Sequence, residues 1–437
     1  MMLHLKRIFL LLVVGFMSLV FVTPFFTLFA KKEPIPTATP APTAPPTPEP
    51  TPQPFADGFD LLGRHYDIDT EEIDLSGISE ANGQDIAVFC QAAPYAGNLK
   101  NVILGDERTT PVNWHIIAQL QEAAPNVHFA YSFSLYGEPM TLDTEYIDLR
   151  KIPVEDNGAA VVSALPCMKN CTTLDMDQSG VDSEHMAMIR DSFPQVKVIW
   201  RVWFSILDYS CRTNAKTILA SLAGDGGLTD EESCKPLTYC TDVVNLDVGH
   251  NNHMRTLYFL QYMPNLEVFI TYNNYLRDVD DLAYCKKLKY VELYGSSMYN
   301  INAIGELYEL TDLQLGGCYN LNDISPIIPA DRVPKIQRLW LTPGQIPQEQ
   351  IEAFKQNHPG CEVNDTDDSV GYYWRFIDPI HAYNSEENRT PAYRKIVSIF
   401  HYGADDNANY SFSRNDPYYT TPHGEPVTGE RVEWFYG

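Results

Sequence analysis

The sequence predicts an α/β solenoid, in which similar units of the chain stack along one axis. Two observations lead to this prediction. An apolar pattern occurs five times between residues 243 and 341, and its copies begin 23, 22, 22 and 26 residues apart. Further apolar residues occur at every third position between the copies. A period of about 20–29 residues is typical of units that bury one hydrophobic face against the next unit.

The five copies have apolar residues at their first and fourth positions, and four of them also at the sixth. They read Val243-Val-Asn-Leu-Asp-Val248, Leu266-Glu-Val-Phe-Ile-Thr271, Leu288-Lys-Tyr-Val-Glu-Leu293, Leu310-Thr-Asp-Leu-Gln-Leu315 and Ile336-Gln-Arg-Leu-Trp-Leu341. In a strand, the fourth and sixth positions lie on one face. This is the LxxLxL pattern of a leucine-rich repeat.

The fourth unit continues as Asn322-Asp-Ile-Ser-Pro-Ile327. Together with the 22-residue period, this resembles the internalin type of short repeat in bacterial surface proteins. The resemblance implies a curved leucine-rich-repeat solenoid, with parallel strands on the concave face and short helices or 3₁₀ turns on the convex face. It also implies a binding scaffold that is not catalytic.

Each of the first four strands is followed by a turn position with a small polar or thiol side chain. These residues are Asn251, Asn274, Ser296 and Cys318, and Gly344 takes the place in the fifth unit. A buried side chain there would pair turn backbone groups that otherwise lack a partner. The apolar residues between the strands are Leu257, Leu260, Met263, Val279, Leu282, Cys285, Ile301, Ile304, Leu307, Ile324 and Ile327. Their spacing predicts short helices or 3₁₀ turns on the convex side.

Residues 58–223 carry a longer and less regular repeat, ahead of the short repeats of residues 224–363. The segment 69–78 closely matches 143–152 at a distance of 74 residues. We interpret this half as irregular leucine-rich-like repeats with inserted hairpins, one of them around Tyr136-Gly137. A full helix is predicted near 182–190, with Ser183 as its N-cap. This half is similar to uncharacterised surface leucine-rich proteins of gut bacteria.

Residues 364–437 form an aromatic C-terminal region, which we predict to be a cap followed by a tail. A solenoid exposes its last hydrophobic layer and needs a cap with a polar outer side. The segment from Pro391 to Tyr402 could cover that layer through its apolar residues. These are Tyr393, Ile396, Val397 and Phe400.

The N-terminal segment predicts attachment to a membrane. Residues 8–30 are uncharged and, at about 1.5 Å of helical rise per residue, are long enough to cross a bilayer. We favour an uncleaved signal anchor, with residues 1–7 in the cytoplasm, because Leu28 stands where a cleavage site needs a small residue. A cleaved signal peptide, and hence a secreted protein, stays the alternative. Residues 31–57 form a Pro/Thr-rich linker that would extend as a polyproline II stalk.

The charge of the chain excludes one class of partner. Four basic and three acidic residues precede residue 58, so this part has a net charge of +1. Residues 58–437 therefore carry −27, which gives the chain its net charge of −26. Such an acidic domain repels nucleic acid and anionic lipid. The excess of carboxylates favours solubility, and an acidic docking face is the alternative. The linker and the domain that follow the apolar segment favour the outside, so we expect the protein at the cell surface with the C-terminal domain outside.

The sequence contains no motif that indicates catalysis or a cofactor. The serine nucleophile, phosphate-loop and zinc-protease motifs are all missing from it. The nine cysteines are an odd number, and the pairs Cys167–Cys171 and Cys234–Cys240 could be either bridged or reduced. We predict no enzyme and no metal site. A secreted hydrolase with its site in the inserts or the C-terminal region is one alternative, and a structural envelope protein is another.

The concave face is the candidate binding surface, because side chains between the repeat leucines point away from the core. Amphipathic aromatics beside hydrogen-bonding groups are typical of binding surfaces. The predicted ligand-binding residues are Asp247, Tyr272, Tyr290, Glu292, Tyr294, Asp312, Gln314, Arg338 and Trp340. The expected ligand is a protein or a glycan. The alternative is that the tyrosines merely tolerate a strand surface.

Overall fold

The computed structural model describes residues 54–111, 113–204, 209–221, 227–366, 373–377 and 386–400. The predicted cytoplasmic N-terminus, signal segment and nearly all of the linker lie outside these ranges. Within them, no helix has the length and apolar character needed to cross a membrane.

The described residues alternate short strands with helices and 3₁₀ turns. The strands are β1 Phe59–Leu61, β2 Arg64–Tyr66, β3 Glu72–Asp74, β4 Asn101–Asp106, β5 His128–Leu135, β6 Glu138–Thr141, β7 Tyr146–Asp148, β8 Thr173–Asp175, β9 Lys197–Ile199, β10 Arg201–Phe204, β11 Tyr209–Arg212, β12 Thr217–Leu219, β13 Asn245–Asp247, β14 Val268–Ile270, β15 Tyr290–Glu292, β16 Asp312–Leu315, β17 Arg338–Leu341 and β18 Glu362–Asn364. The α-helices are α1 Gly83–Ala92, α2 Trp114–Ala123, α3 Ala159–Ala164, α4 Ser183–Ser192, α5 Glu231–Cys234, α6 Gln348–Asn357 and α7 Pro391–Phe400.

One parallel sheet of seven strands, β12 to β18 in chain order, runs through the short repeats. The five LxxLxL copies supply β13 to β17, and the register aligns them position by position. Val268 pairs with Tyr290, which pairs with Asp312. The predicted α/β solenoid with parallel strands is confirmed.

The core lies behind this sheet, between the strands and the 3₁₀ turns. The middle residues of successive strands are fully buried: Leu246, Phe269, Val291, Leu313 and Leu339. The turns opposite them are Tyr258–Tyr262, Asp280–Tyr284, Asn302–Glu306 and Ser325–Ile327. The predicted apolar residues of these turns are buried as well. Each unit thus closes its hydrophobic face against the next unit, as the repeat pattern predicts.

The turn position after each strand pairs backbone groups in the interior. The Asn251 amide donates to the Val248 carbonyl at 2.7 Å, and its oxygen accepts from the backbone N–H of Leu228 at 2.8 Å. The Cys318 thiol donates to the Leu293 carbonyl at 3.2 Å. These hydrogen bonds give the backbone groups at the strand ends the partners that water would otherwise supply.

The first half forms two smaller sheets, in the orders β3-β4-β5-β6 and β7-β8-β9. The matching segments 69–78 and 143–152 supply the first strand of each sheet. Strands β5 and β6 are antiparallel around Tyr136 and Gly137, both of which have positive φ, and this confirms the predicted hairpin. A second hairpin, β10–β11, lies between β9 and β12.

The helix predicted near 182–190 exists as α4, but its N-cap is not Ser183. The Asp182 carboxylate accepts from the His185 backbone N–H at 2.9 Å and so takes that role. Asp is at least as good an N-cap as Ser, because its charge also suits the positive end of the helix dipole. Met186 and Ile189 are buried, so this face of the helix packs on the core.

Helix α7 lies elsewhere than we predicted. It packs on the concave side of the seven-stranded sheet, whereas we expected it to cover the end of the solenoid. The last unit is instead built from α6 and β18. The cluster that includes α7 contains Leu219, Val268, Ile270, Tyr290 and Trp340 from the sheet, with Trp374, Phe376, Tyr393, Ile396, Ile399 and Phe400. Apolar side chains on the concave face provide the reason, since they gain free energy by being covered.

Candidate binding surface on the concave face

The strand register brings the nine predicted residues together on one face. Asp247, Glu292, Gln314 and Trp340 share one row across the strands, and Tyr290, Asp312 and Arg338 share the neighbouring row. Tyr272 and Tyr294 follow the ends of β14 and β15, and their rings stack with centroids 4.7 Å apart. The predicted geometry of the surface is therefore present. That these residues bind an external ligand stays a prediction.

Two of the nine residues serve the turns beside them. The Asp247 carboxylate accepts from the Gly249 N–H at 2.7 Å, and the Gln314 amide oxygen accepts from the Gly316 N–H at 2.6 Å. Both side chains are buried. Their first role is to pair backbone groups at the strand ends, which the sequence analysis did not anticipate.

Residues 373–377, which we call the resident segment together with α7, lie on the concave face over Glu292. The Glu292 carboxylate accepts from Trp374 Nε1 and from Arg375 Nε, each at 3.0 Å. Arg375 Nη2 donates to its second oxygen. The Tyr290 hydroxyl donates to the first oxygen at 2.5 Å. The carboxylate of Glu292, a predicted site residue, thus accepts from four donors. Three of these donors belong to the chain's own C-terminal region.

The ion pair between Glu292 and Arg375 is almost dry, with side-chain exposures of 0% and 3%. Burial by itself would lower the pKa of Arg375, but the nearby Glu292 carboxylate raises it well above its usual value. Burial, reinforced by the same carboxylate, raises the pKa of Tyr290 well above normal. Two buried charges of this kind are tolerated only because each is paired and hydrogen-bonded.

Aromatic side chains form the walls around this ion pair. The Trp374 ring lies 5.0 Å from the Tyr290 ring, and the Arg338 guanidinium lies 5.4 Å from the Trp374 ring. Arg338 also donates to the Trp374 carbonyl. The Arg375 guanidinium lies 5.8 Å from the Tyr272 ring. The resident segment therefore meets four of the predicted site residues through stacking or charge.

Helix α7 covers the apolar part of the same face. Its residues Tyr393, Ile396, Ile399 and Phe400 are buried and recur at helical spacing. They pack with the concave strand residues of the cluster that α7 shares with the sheet. Phe376 joins the two parts of the resident segment, since its ring lies 5.8 Å from that of Tyr393.

Trp374 and Arg375 are the site residues that the sequence analysis missed. They lie 82 and 83 residues after Glu292 and belong to no repeat. One signal could have indicated them. Val268 and Ile270 occupy concave positions, where apolar side chains need a cover.

A second cluster of arginine and carboxylate lies in the first half. Arg201 Nε and Nη2 each donate to the Asp177 carboxylate at 2.9 Å, and Arg212 donates to Asp175. All four residues are buried. The Tyr146 hydroxyl donates to Asp175 at 2.9 Å. Both arginines come from the inserted hairpin β10–β11.

The described residues hold no group of three or more side chains arranged to bind a metal ion. All nine cysteines lie within the described residues, and none of them forms a disulfide bond there. The sulfurs of Cys211 and Cys240 lie 3.8 Å apart in the core, which is neither of the pairs suggested by the sequence spacing.

Each short unit contributes one parallel strand and one 3₁₀ turn behind it, with a period near 22 residues. These features define the class of fold. The chain is a leucine-rich repeat protein. Neither a family model nor a curated relative matches the sequence.

Solved structures of similar proteins include two internalins of Listeria monocytogenes. An internalin (inlF) is 13% identical with a TM-score of 0.30, over 70% of this chain and 86% of its own. Internalin C2 is 16% identical with a TM-score of 0.30, over 54% of this chain and 88% of its own. A leucine-rich repeat protein of Leptospira interrogans is 14% identical with a TM-score of 0.16, over 68% of this chain and 96% of its own.

Proposed function

We propose that this leucine-rich repeat protein is a membrane-tethered receptor or adhesin that binds a protein partner on its concave face. One observation carries the proposal: the concave face already holds a polypeptide, the resident segment, through a buried carboxylate and aromatic walls. The surface is thus chemically suited to protein recognition. The resident segment serves as a template for what a partner would present.

The partner that fits this surface is a segment with an arginine between aromatic residues. If the resident segment left, Glu292 would keep the hydrogen bond from the Tyr290 hydroxyl but lose its other three donors. A partially buried carboxylate then needs a cation with several N–H groups, and guanidinium supplies them in a planar fork. Arginine and aromatic residues are also the side chains that contribute most binding energy in protein interfaces.

The resident segment and an external partner would compete for the face. The segment belongs to the same chain, so its effective concentration at the face is high and a partner must outcompete it. The same contacts therefore make the segment a built-in competitor.

Attachment to the cell surface rests on the sequence alone. The uncharged run 8–30 and the proline-rich stalk 31–57 support an anchored domain that projects from the membrane. Surface proteolysis of intact cells tests this part. Cleavage of the domain outside the cell supports it, and protection until lysis contradicts it.

The binding proposal is tested with a labelled synthetic peptide of residues 372–402 and the domain 54–437. Fluorescence anisotropy should detect weak binding to the wild-type domain, because its own segment occupies the face. Arg375→Ala in the domain removes the ion pair on the resident side and should tighten peptide binding about tenfold or more. Adding Glu292→Gln to that variant should abolish the gain.

A peptide that carries the same Arg375→Ala change is the matched control and should bind poorly to every variant. Equal binding of both peptides would show that Glu292 does not recognise the arginine of the peptide. Failure of the wild-type peptide to bind the Arg375→Ala domain, with the fold intact by circular dichroism, would refute the concave site. A glycan array with the same variants tests the sugar alternative.

A further inference from the structure

Four loops on one edge of the solenoid form a surface of unusual composition. We call residues 251–256, 273–277, 295–300 and 317–322 the edge loops; they lead from strands β13 to β16 towards the convex side. Each loop buries one aliphatic side chain and leaves the residues on either side of it at least partly exposed. The buried residues are Met254, Leu276, Met298 and Leu321.

Backbone hydrogen bonds hold neighbouring edge loops against each other. The Tyr275 N–H donates to the Met254 carbonyl at 3.1 Å, and the Tyr299 N–H donates to the Arg277 carbonyl at 3.2 Å. The exposed side chains of successive units therefore lie next to one another along the solenoid axis.

Tyrosine side chains project from three of the edge loops. Tyr275, Tyr299 and Tyr319 are 51%, 58% and 65% exposed, although tyrosine is usually buried to a larger extent. In the first loop, the His253 ring lies 5.4 Å from the Tyr275 ring. This separation is close to the spacing of neighbouring strands, about 4.8 Å. Exposed aromatic side chains that recur in neighbouring units form a patch, and such patches mark interaction sites.

Amide side chains lie among these rings. Asn273, Asn320 and Asn322 are exposed. The Asn320 amide donates to the Ser297 carbonyl at 3.3 Å, which fixes its orientation. An amide side chain both donates and accepts hydrogen bonds. The edge loops thus combine flat rings with groups that can pair with hydroxyls in either sense.

The charge of the edge loops favours an uncharged ligand. They contain no Asp or Glu, although the chain has 57 such residues among 437. A cationic ligand would find no carboxylate in them, and the net charge of −27 on residues 58–437 repels an anionic polymer. Arg255 and Arg277 belong to the first two loops, whereas 295–300 and 317–322 hold no charged residue.

We propose that the edge loops bind a neutral, extended polysaccharide, of the chemical class of a β-1,4-linked hexose chain. Each hexose has a face of C–H groups that packs on an aromatic ring, and hydroxyls at its rim that pair with the amides. A row of rings along the solenoid axis suits an extended chain better than an α-1,4-linked chain, which coils. A protein partner is disfavoured, because the core of a protein interface is apolar and the edge loops keep their aliphatic side chains buried.

The experiment measures binding of cellohexaose and β-1,4-mannohexaose to the full chain by calorimetry, in a detergent without sugar groups. At least one of these neutral β-1,4-linked probes should bind, and α-1,4-linked maltohexaose should bind more weakly. The triple variant Tyr275→Ala, Tyr299→Ala and Tyr319→Ala should weaken binding about tenfold or more, because three ring contacts are lost. Its melting temperature should change little, since all three side chains are exposed.

The matched control replaces three tyrosines on the convex side, and it should leave sugar binding unchanged. Its changes are Tyr262→Ala, Tyr284→Ala and Tyr308→Ala, at exposed positions in or beside the 3₁₀ turns. If the first triple variant fails to fold, Tyr319→Ala alone decides, because Tyr319 is the most exposed of its three tyrosines.

Three results would each overturn the proposal. They are the failure of both β-1,4-linked probes to bind, an equal loss of binding in both triple variants, and equally tight binding of maltohexaose or of anionic hexagalacturonate. The peptide assay at Glu292 changes none of the edge tyrosines, so the two proposals can fail separately.

Discussion

The two clusters of arginine and carboxylate use the same chemistry on two parts of the solenoid. In the first, Asp175 accepts from Tyr146 and from Arg212 of the inserted hairpin. In the second, Glu292 accepts from Tyr290 and from Arg375 of the resident segment. Each cluster thus fixes a covering element to the concave side.

The clusters differ in how the covering element is joined to the solenoid. Arg201 lies 24 residues after Asp177, at the start of a hairpin whose strands also pair with each other. Arg375 lies 83 residues after Glu292 and belongs to no sheet of the solenoid. Closing a longer loop costs more chain entropy, although the cost rises slowly. We therefore expect the hairpin to unfold only with the solenoid, and the resident segment to be able to detach by itself.

The largest expected effect comes from breaking the first cluster. Asp175→Asn removes the carboxylate that accepts from the buried Arg212 guanidinium, and such changes cost about 3–5 kcal/mol. Urea denaturation should show a global loss of this size. Asp148→Asn is the control, because Asp148 is exposed and surface ion pairs contribute about 0–1 kcal/mol. A loss below about 1 kcal/mol for Asp175→Asn would show that water reaches this cluster.

The second prediction applies the matching change to the second cluster. Glu292→Gln should lower the free energy of global unfolding by less, up to about 3 kcal/mol. The segment can detach and bring Arg375 into water, so the full cost of burying its charge without the carboxylate is avoided. Hydrogen exchange should quicken within α7 but not in β15. Equal acceleration throughout the solenoid would mean that the resident segment is part of the core and cannot be exchanged.

These two clusters also show which parts of the structure the sequence can predict. The LxxLxL spacing predicts the strands, their register and which side chains face the concave side, because strand periodicity fixes orientation. It does not predict what covers that face. Arg375 and Glu292 meet only through tertiary contact, and nothing local in either segment encodes the other. Likewise, the spacing of Cys234 and Cys240 suggested a pair, but the fold brings Cys240 to Cys211.

The third prediction uses His250, which lies beside the resident segment and 5.1 Å from the Tyr272 ring. Burial, together with the charge of Arg375, lowers its pKa from 6.5 to about 4. Below pH 6.5, His250 binds a proton in the unfolded chain but not in the folded chain. The free energy of unfolding therefore falls as the pH drops. The expected loss between pH 6.5 and about pH 5 is about 2 kcal/mol.

The variant His250→Asn should remove this pH dependence, and it suits the position because φ is 57° there. In Arg375→Ala both causes of the shift weaken, so the pKa of His250 measured by NMR should rise towards its usual value. An unchanged pKa would show that the resident segment does not control the burial of this site.

The smallest effect compares the two tyrosines that donate to the carboxylates. Tyr146 is 46% exposed, whereas Tyr290 is 4% exposed. In Tyr146→Phe, Asp175 keeps Arg212 and the Asp177 N–H as donors, and the exposed ring loses little packing, so the expected loss is below about 0.5 kcal/mol. In Tyr290→Phe, the buried Glu292 loses a donor, and hydrogen bonds to charged groups contribute about 1.5–3 kcal/mol. Because three other donors remain at Glu292, we expect a loss of about 1 kcal/mol in urea denaturation.

The difference between the two losses measures how dry the second cluster is. If the resident segment spends most of its time docked, water does not reach Glu292, and Tyr290→Phe stays the more costly change. If Arg375→Ala releases the segment, water can hydrate Glu292, and Tyr290→Phe in that background should cost no more than Tyr146→Phe does. A full cost of Tyr290→Phe in the Arg375→Ala background would mean that the segment stays docked without its ion pair, and the distinction between a fixed and an exchangeable cover would fail.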